Sequence, residues 1–155
     1  MSVGKVIGLY ISPNRGEPTR SVEQIYVAPG KGIQGDRYFR QTEIGERHQK
    51  SGQEITLIEM EAIEALCQDE GIQISPGQTR RNIITYGVSL NALVGFIFTV
   101  GNIQLRGVRL CEPCNYLASR TDPRVLPTLT HRGGLRAEII TEGNINLNDL
   151  ITPPQ

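Results

Sequence analysis

The chain has 155 residues, 38% hydrophobic and 21% charged, and its 16 basic and 16 acidic side chains leave no net charge. That length predicts a single domain over residues 1–155 that can bury a core without metal or disulfides, and an odd number of cysteines, three, argues against a secreted disulfide scaffold. No apolar run approaches the roughly 20 residues of a membrane span, the opening MSVGKVIGLYISPNRG does not read as a signal peptide, and a neutral, aromatic-poor chain lacks the electrostatic footprint of a nucleic-acid binder.

The expectation is therefore a reduced, cytoplasmic domain. GKVIGLYIS (4–12) predicts a first strand, ended by the turn-rich PNRGEP, and SVEQIYVAP (21–29) alternates as a second. GKGIQGDRYF (30–39) is punctuated by glycines and reads as a loop that brings backbone close to something. After a polar stretch carrying His48, QEITLI (53–58) predicts a strand leading into the helix EMEAIEALCQDEG. Acidic residues crowd its start, Gly71 fits its C-terminal cap, and Cys67 is expected on its apolar stripe as a small buried residue.

Further on, TRRNIITYG (79–87) reads as a strand and SLNALVG (89–95) as a short helix capped by Ser89. FIFTVGNIQLRGVRLC (96–111) predicts a hairpin about Val100-Gly101-Asn102, CNYLASR a short helix, and LRAEIITEGNINLNDLI (135–151) a second hairpin turning at Glu142-Gly143-Asn144. Six to eight short strands, one longer helix and one or two short ones, with no β-α-β alternation, predict a mainly β fold. A closed or nearly closed barrel is its natural form, since closure removes exposed edges.

The zero net charge hides an asymmetry. Between Arg80 and Arg136 there are eight arginines against only Glu112 and Asp122. Arginine grips phosphate or carboxylate with two parallel hydrogen bonds. In the same stretch lies Cys111-Glu-Pro-Cys114. A structural zinc site needs four ligands, and the only histidines, His48 and His131, stand far apart in sequence, so the spacing gives zinc little support. A dithiol redox motif fits locally, but such motifs belong to a β-α-β setting. The third reading is one working thiolate at Cys114, favoured by free backbone N–H groups where strand passes to helix and by Arg106, Arg109 and Arg120. Thiolate is a soft metal ligand and a carrier of persulfide sulfur.

The ordered set RRNIITYGVSLNALVG, FTVGNIQLRGVRLCEPC and HRGGLRAEIITEGNINLNDLI, with GIQGDRYF and ITLIEMEAIEAL before it, resembles the MOSC domain, named for the C-terminal part of molybdenum cofactor sulfurase. The resemblance covers residues 4 to 151 and marks a small stand-alone member. It implies a β-barrel-like fold and a role with the molybdenum cofactor, a pterin dithiolene bearing a phosphate. By motif position Cys114 is the family's cysteine that carries sulfur or ligates molybdenum, with Cys111 in support. Arg81, Asn82 and Thr85 match its Arg-Asn-x-x-Thr stretch, and His131, Arg132 and Arg136 fall in the segment expected to close the same cofactor-binding face.

The sulfurase's pyridoxal-phosphate desulfurase domain does not fit into this length, and Lys5, Lys31 and Lys50 show no Schiff-base setting, so no pyridoxal phosphate is expected on this chain. The resemblance implies a partner, a cysteine desulfurase or an electron-transfer protein. It leaves three activities in view: sulfur transfer through a persulfide or reduction of N-hydroxylated compounds, a non-catalytic cofactor or sulfur carrier, and a Cys-x-x-Cys dithiol oxidoreductase.

Overall fold

The computed structural model describes residues 2–14, 16–39, 54–112, 121–124 and 129–154. It is a mainly β protein. Chain order runs β1 (Gly4–Ile11), β2 (Arg20–Val22), β3 (Gln24–Ala28), β4 (Gly32–Ile33), β5 (Ile55–Glu59), α1 (Met60–Glu70), β6 (Ile83–Tyr86), β7 (Ile97–Val100), β8 (Ile103–Leu110), β9 (Leu135–Ile139), β10 (Gly143–Asn146) and β11 (Leu150–Thr152). Seven of these strands pair in the order β11-β7-β8-β9-β5-β6-β1, and a β1–β11 pairing closes the ring into a barrel, with β2 added beside β1. A second sheet, β10-β3-β4, contributes Ile25, Val27, Ile33 and Ile145 to the barrel's own core.

Alternation builds that core. Along β9, Leu135, Ala137 and Ile139 are buried while Arg136 and Glu138 are not, as a period of two requires. β7 and β8 form the expected hairpin, Val100 opposite Ile103 across Gly101-Asn102. The other predicted hairpin is a different structure. β9 pairs with β8 and β5, whereas β10 pairs with β3 in the second sheet. The glycine turn at 142–144 therefore hands the chain from one sheet to the other. One β-α-β unit also exists: β5 and β6 are parallel, joined through α1.

Helix α1 ends as expected on Gly71, in the left-handed conformation at φ 66°. It buries Ala62, Ile63 and Leu66, with Ile63 packed on the outward-facing Ile58 and Ile84 of β5 and β6. Cys67 is exposed, contrary to expectation. At about 100° per residue it falls beyond the edge of the 62-63-66 stripe. Ser89 makes no side-chain cap; the Leu90 amide donates instead to the Glu59 carboxylate at 3.0 Å. The short helix expected after Cys114 lies outside the described residues. Among the described residues no helix is long and apolar enough to cross a membrane.

Candidate functional site: a cationic cleft on the outer barrel wall

β5 and β9 run antiparallel with Thr56 opposite Arg136. Ile55, Leu57, Leu135 and Ala137 point into the core, so Thr56 and Arg136 face the other way. With Glu54 they form the floor of a cleft of about 260 Å³, walled by Ser12, Thr19, Asp36, Arg37, Tyr38, Thr79, Arg80, Arg81, Asn82 and Cys111. Two local devices bring the walls together. Residues Pro76–Thr79 form a 3-10 turn capped by Ser75 and Gln78, and Arg80 follows in the left-handed conformation at φ 61°, which swings Arg81 and Asn82 towards the barrel. At the end of β1, Ser12 gathers three partners. Its amide donates to Asp36 Oδ1 at 2.7 Å, its carbonyl accepts the Arg37 amide at 3.0 Å, and its hydroxyl accepts Arg80 Nη2 at 3.1 Å.

Arg81 is buried, with only 8% exposure. Its guanidinium donates to the carbonyls of Gly133 at 2.9 Å, Thr79 at 3.2 Å and Cys111 at 3.2 Å, and more weakly to that of Glu112 at 3.5 Å. It thus ties the end of β8, where the Cys-x-x-Cys begins, to the start of β9. Asn82 is a pin between strands: its Oδ1 accepts from the Thr56 amide at 3.0 Å and hydroxyl at 3.1 Å, and its Nδ2 donates to the Tyr10 carbonyl at 3.1 Å.

The structure brings Arg81, Asn82 and Arg136 into one cleft and places the remaining described candidates elsewhere. Thr85 is fully buried between β6 and β5, donating to the Ile58 carbonyl at 3.4 Å, and does not line the cleft. His131 and Arg132 line a separate hollow of about 170 Å³ with Glu59, Ser89, Asn91 and Gly134. There His131 is exposed, at φ 64°, with its amide donating to Glu112 at 2.7 Å and Nδ1 3.2 Å from the other Glu112 oxygen. Cys114 and His48 lie outside the described residues. Cys111 is 1% exposed, with its amide donating to the Gly134 carbonyl at 2.7 Å.

A model of the MOSC domain matches residues 44–152, well over half of the chain. The chain belongs to the MOSC domain family. No curated protein matches it. Among solved structures it is similar to the YUAD protein from Bacillus subtilis, with 18% identity, full coverage of both chains and a TM-score of 0.83. It is also similar to YiiM from Geobacillus stearothermophilus, with 14% identity, 98% of this chain and 75% of that one covered, and a TM-score of 0.73. For YiiM from Escherichia coli the values are 16%, 100%, 70% and 0.66. At such identities these likenesses show a shared fold.

In this MOSC domain the cleft holds residues that the motif reading does not single out: Asp36, Arg37, Glu54 and Arg80. Their one sequence signal is the glycine-flanked Gly35-Asp36-Arg37, legible as a close-approach loop but silent about which side chain turns inward. Among the described residues, neither the buried Arg37 Nε nor the Arg136 side chain has a hydrogen-bond partner. Burial pushes the Glu54 carboxyl above its ordinary range, hydrogen bonds from the Gly30 and Ile139 amides oppose this, and the negative charge of Glu138 adds to it. Guanidinium groups, the Tyr38 ring, the Cys111 side chain and a volume near that of a small-molecule site suit the phosphate and ring system of the molybdenum cofactor, so the residues present fit the group.

Proposed function

We propose that this MOSC domain binds the molybdenum cofactor in the outer-wall cleft, with Cys114 as the working thiolate. The activity is sulfur transfer through a Cys114 persulfide or reduction of N-hydroxylated compounds. The bound cofactor would supply a two-electron redox metal. The observation that carries this reading is the convergence of Arg81 and Asn82 from one segment and Arg136 from another on a cleft that Cys111 also lines. Arg81 holds the carbonyls of Cys111 and Glu112, and Cys114 follows Glu112 by two residues. Arg81 thereby fixes the backbone at Cys111 and Glu112, and Arg136 offers charge to an anionic ligand. A cysteine desulfurase would provide the sulfur, or an electron-transfer protein the electrons.

The dithiol reading requires Cys111 to resolve a mixed disulfide with a protein partner. Its 1% exposure tells against that role.

Metal and pterin analysis of protein purified from a cofactor-producing host, followed by persulfide labelling, tests the proposal. Molybdenum and pterin should copurify. Cys114→Ser should abolish labelling or cofactor-dependent activity, since a hydroxyl is a hard, weakly acidic replacement. Cys111→Ala, which avoids burying a hydroxyl, should retain most of it. Normal labelling in Cys114→Ser refutes the thiolate assignment, and equal loss in both variants restores the dithiol pair.

A further inference from the structure

The proposed reading gives Arg136 to the ligand's negative charge and leaves Arg37, the other cleft arginine with an unfilled donor among the described residues, without a role. We infer that Arg37, on the Gly35–Tyr38 turn, is an anion-binding residue of the cleft that takes a phosphate monoester; this inference rests on the reading above. The four cleft arginines differ in what they already hold. Arg81 is committed to the backbone carbonyls that fix the β8–β9 junction. Arg80 donates to the Glu17 carbonyl at 2.9 Å and to Ser12 Oγ. Arg37 is held from both ends, yet keeps a donor unfilled. Its amide is fixed on Ser12, its Nη2 donates to Tyr38 Oη at 2.6 Å, and its guanidinium carbon lies 4.5 Å from the Tyr38 ring centroid. Its Nε–H is nonetheless buried without an acceptor among the described residues.

A buried donor lacking a partner costs free energy, more so when it is charged. A side chain anchored at backbone, hydroxyl and ring cannot readily swing out to recover that loss in water. An acceptor that enters the cleft from outside the chain would fill that donor. Charge identifies its class. The cleft carries four guanidinium groups against the carboxylates of Asp36 and Glu54, a surplus of two positive charges, and a phosphate monoester brings about −1.5 to −2 at neutral pH. A tetrahedral oxyanion also suits the side-on edge of a guanidinium, where Nε and one terminal nitrogen present parallel donors.

The probes are inorganic phosphate and sulfate, titrated up to tens of millimolar into the purified protein and followed by NMR shifts of the cleft amides, with thermal melting as the check on folding. Both anions should bind the wild-type protein. Arg37→Gln should weaken binding about tenfold or more, and Arg37→Lys nearly as much, because an ammonium retains the charge and lacks the fork. Tyr38→Phe, which removes only the hydroxyl that orients Arg37, should weaken binding a few-fold at unchanged melting temperature. Unchanged affinity in folded Arg37→Gln overturns the inference, as does failure of the wild-type protein to bind either anion. Full restoration by Arg37→Lys overturns the fork geometry.

The source of the phosphate separates this inference from the broader reading. Phosphate bound through Arg37 in a protein that acquires neither molybdenum nor pterin overturns the cofactor proposal and leaves the oxyanion site intact. Undiminished copurification of pterin with Arg37→Gln does the reverse.

Discussion

The two faces of the β5–β9 wall differ in everything except their backbone. Inward, Ile55, Leu57, Leu135 and Ala137 are at most 1% exposed and belong to one continuous apolar core. Outward, Thr56 and Arg136 of the same strands, with Glu54 just before β5, line a charged cleft. One residue of strand displacement thus separates the groups that stabilise the protein from those available to a ligand. The strand pairing that buries the first set fixes the spacing of the second, so one wall serves both as part of the core and as the site's floor. A change that disturbs the wall itself should lose both properties, and a change on one face should lose one.

Gly134 offers the largest effect. It precedes β9 at φ 111°, a conformation L side chains rarely adopt, and a Cβ there would lie 2.0 Å from the Leu57 carbonyl oxygen. Gly134→Ala therefore meets backbone strain and a clash with backbone that cannot rotate away, and should cost at least about 3 kcal/mol. Because the Gly134 carbonyl also accepts the Cys111 amide, anion binding should fail together with stability. Urea denaturation alongside a phosphate titration checks this. A variant that keeps full stability would show that the wall can move.

Asn82 separates the faces more finely. It lines the cleft, yet its amide group is already bonded to Thr56 and Tyr10. Asn82→Ala strands the half-buried Thr56 amide and Tyr10 carbonyl and should lower stability by about 1–3 kcal/mol. Phosphate affinity, measured where the variant is folded, should change far less than in Arg37→Gln. The opposite result, unchanged stability with lost binding, would move Asn82 from the scaffold to the ligand.

How far these features are legible in sequence follows the same division. Alternation reveals β1, β5 and the β7–β8 hairpin because each is set by neighbours in the chain. Pairing between distant strands carries no local signal, so the turn at Glu142-Gly143-Asn144 reads as a hairpin although β9 and β10 enter different sheets. Helix α1 is legible from its period, while Cys67, at the edge of the stripe, is placed on the wrong side. In the site, Arg81, Asn82 and Arg136 are legible from motif order and arginine excess. Arg37 and Glu54 are not, since a charged residue in or beside a loop looks solvated until the fold shows it covered. The separation of His131 and Arg132 from Arg136 is likewise set by the turn at 131–134, where His131 and Gly134 both have positive φ.

Glu54 should give the smallest effect and the sharpest test of how the two faces communicate. Its carboxyl is raised above the ordinary value of 4.5, first by burial. A raised pKa in the folded state means that folding takes up a proton between 4.5 and the folded value. The stability it contributes is complete below 4.5 and is lost as pH rises through the folded pKa. Glu54→Gln keeps an oxygen for the Gly30 amide, bonded at 2.8 Å in the wild type, but removes the titration. The fall in stability with rising pH should therefore be shallower in the variant over that window. Asp36, the cleft's other carboxylate, is present in both proteins and cancels in the comparison. Sulfate provides the second readout because it stays a dianion throughout. Protonating Glu54 removes a negative charge from the cleft, so wild-type affinity for sulfate should rise as pH falls, while Glu54→Gln should hold the tighter affinity with little pH dependence. Urea denaturation and sulfate titration at matched pH values measure both. If the variant retains the wild-type slope in either, the carboxylate does not couple the wall to the cleft, and the charge balance assigned to the anion site has to be carried by the arginines alone.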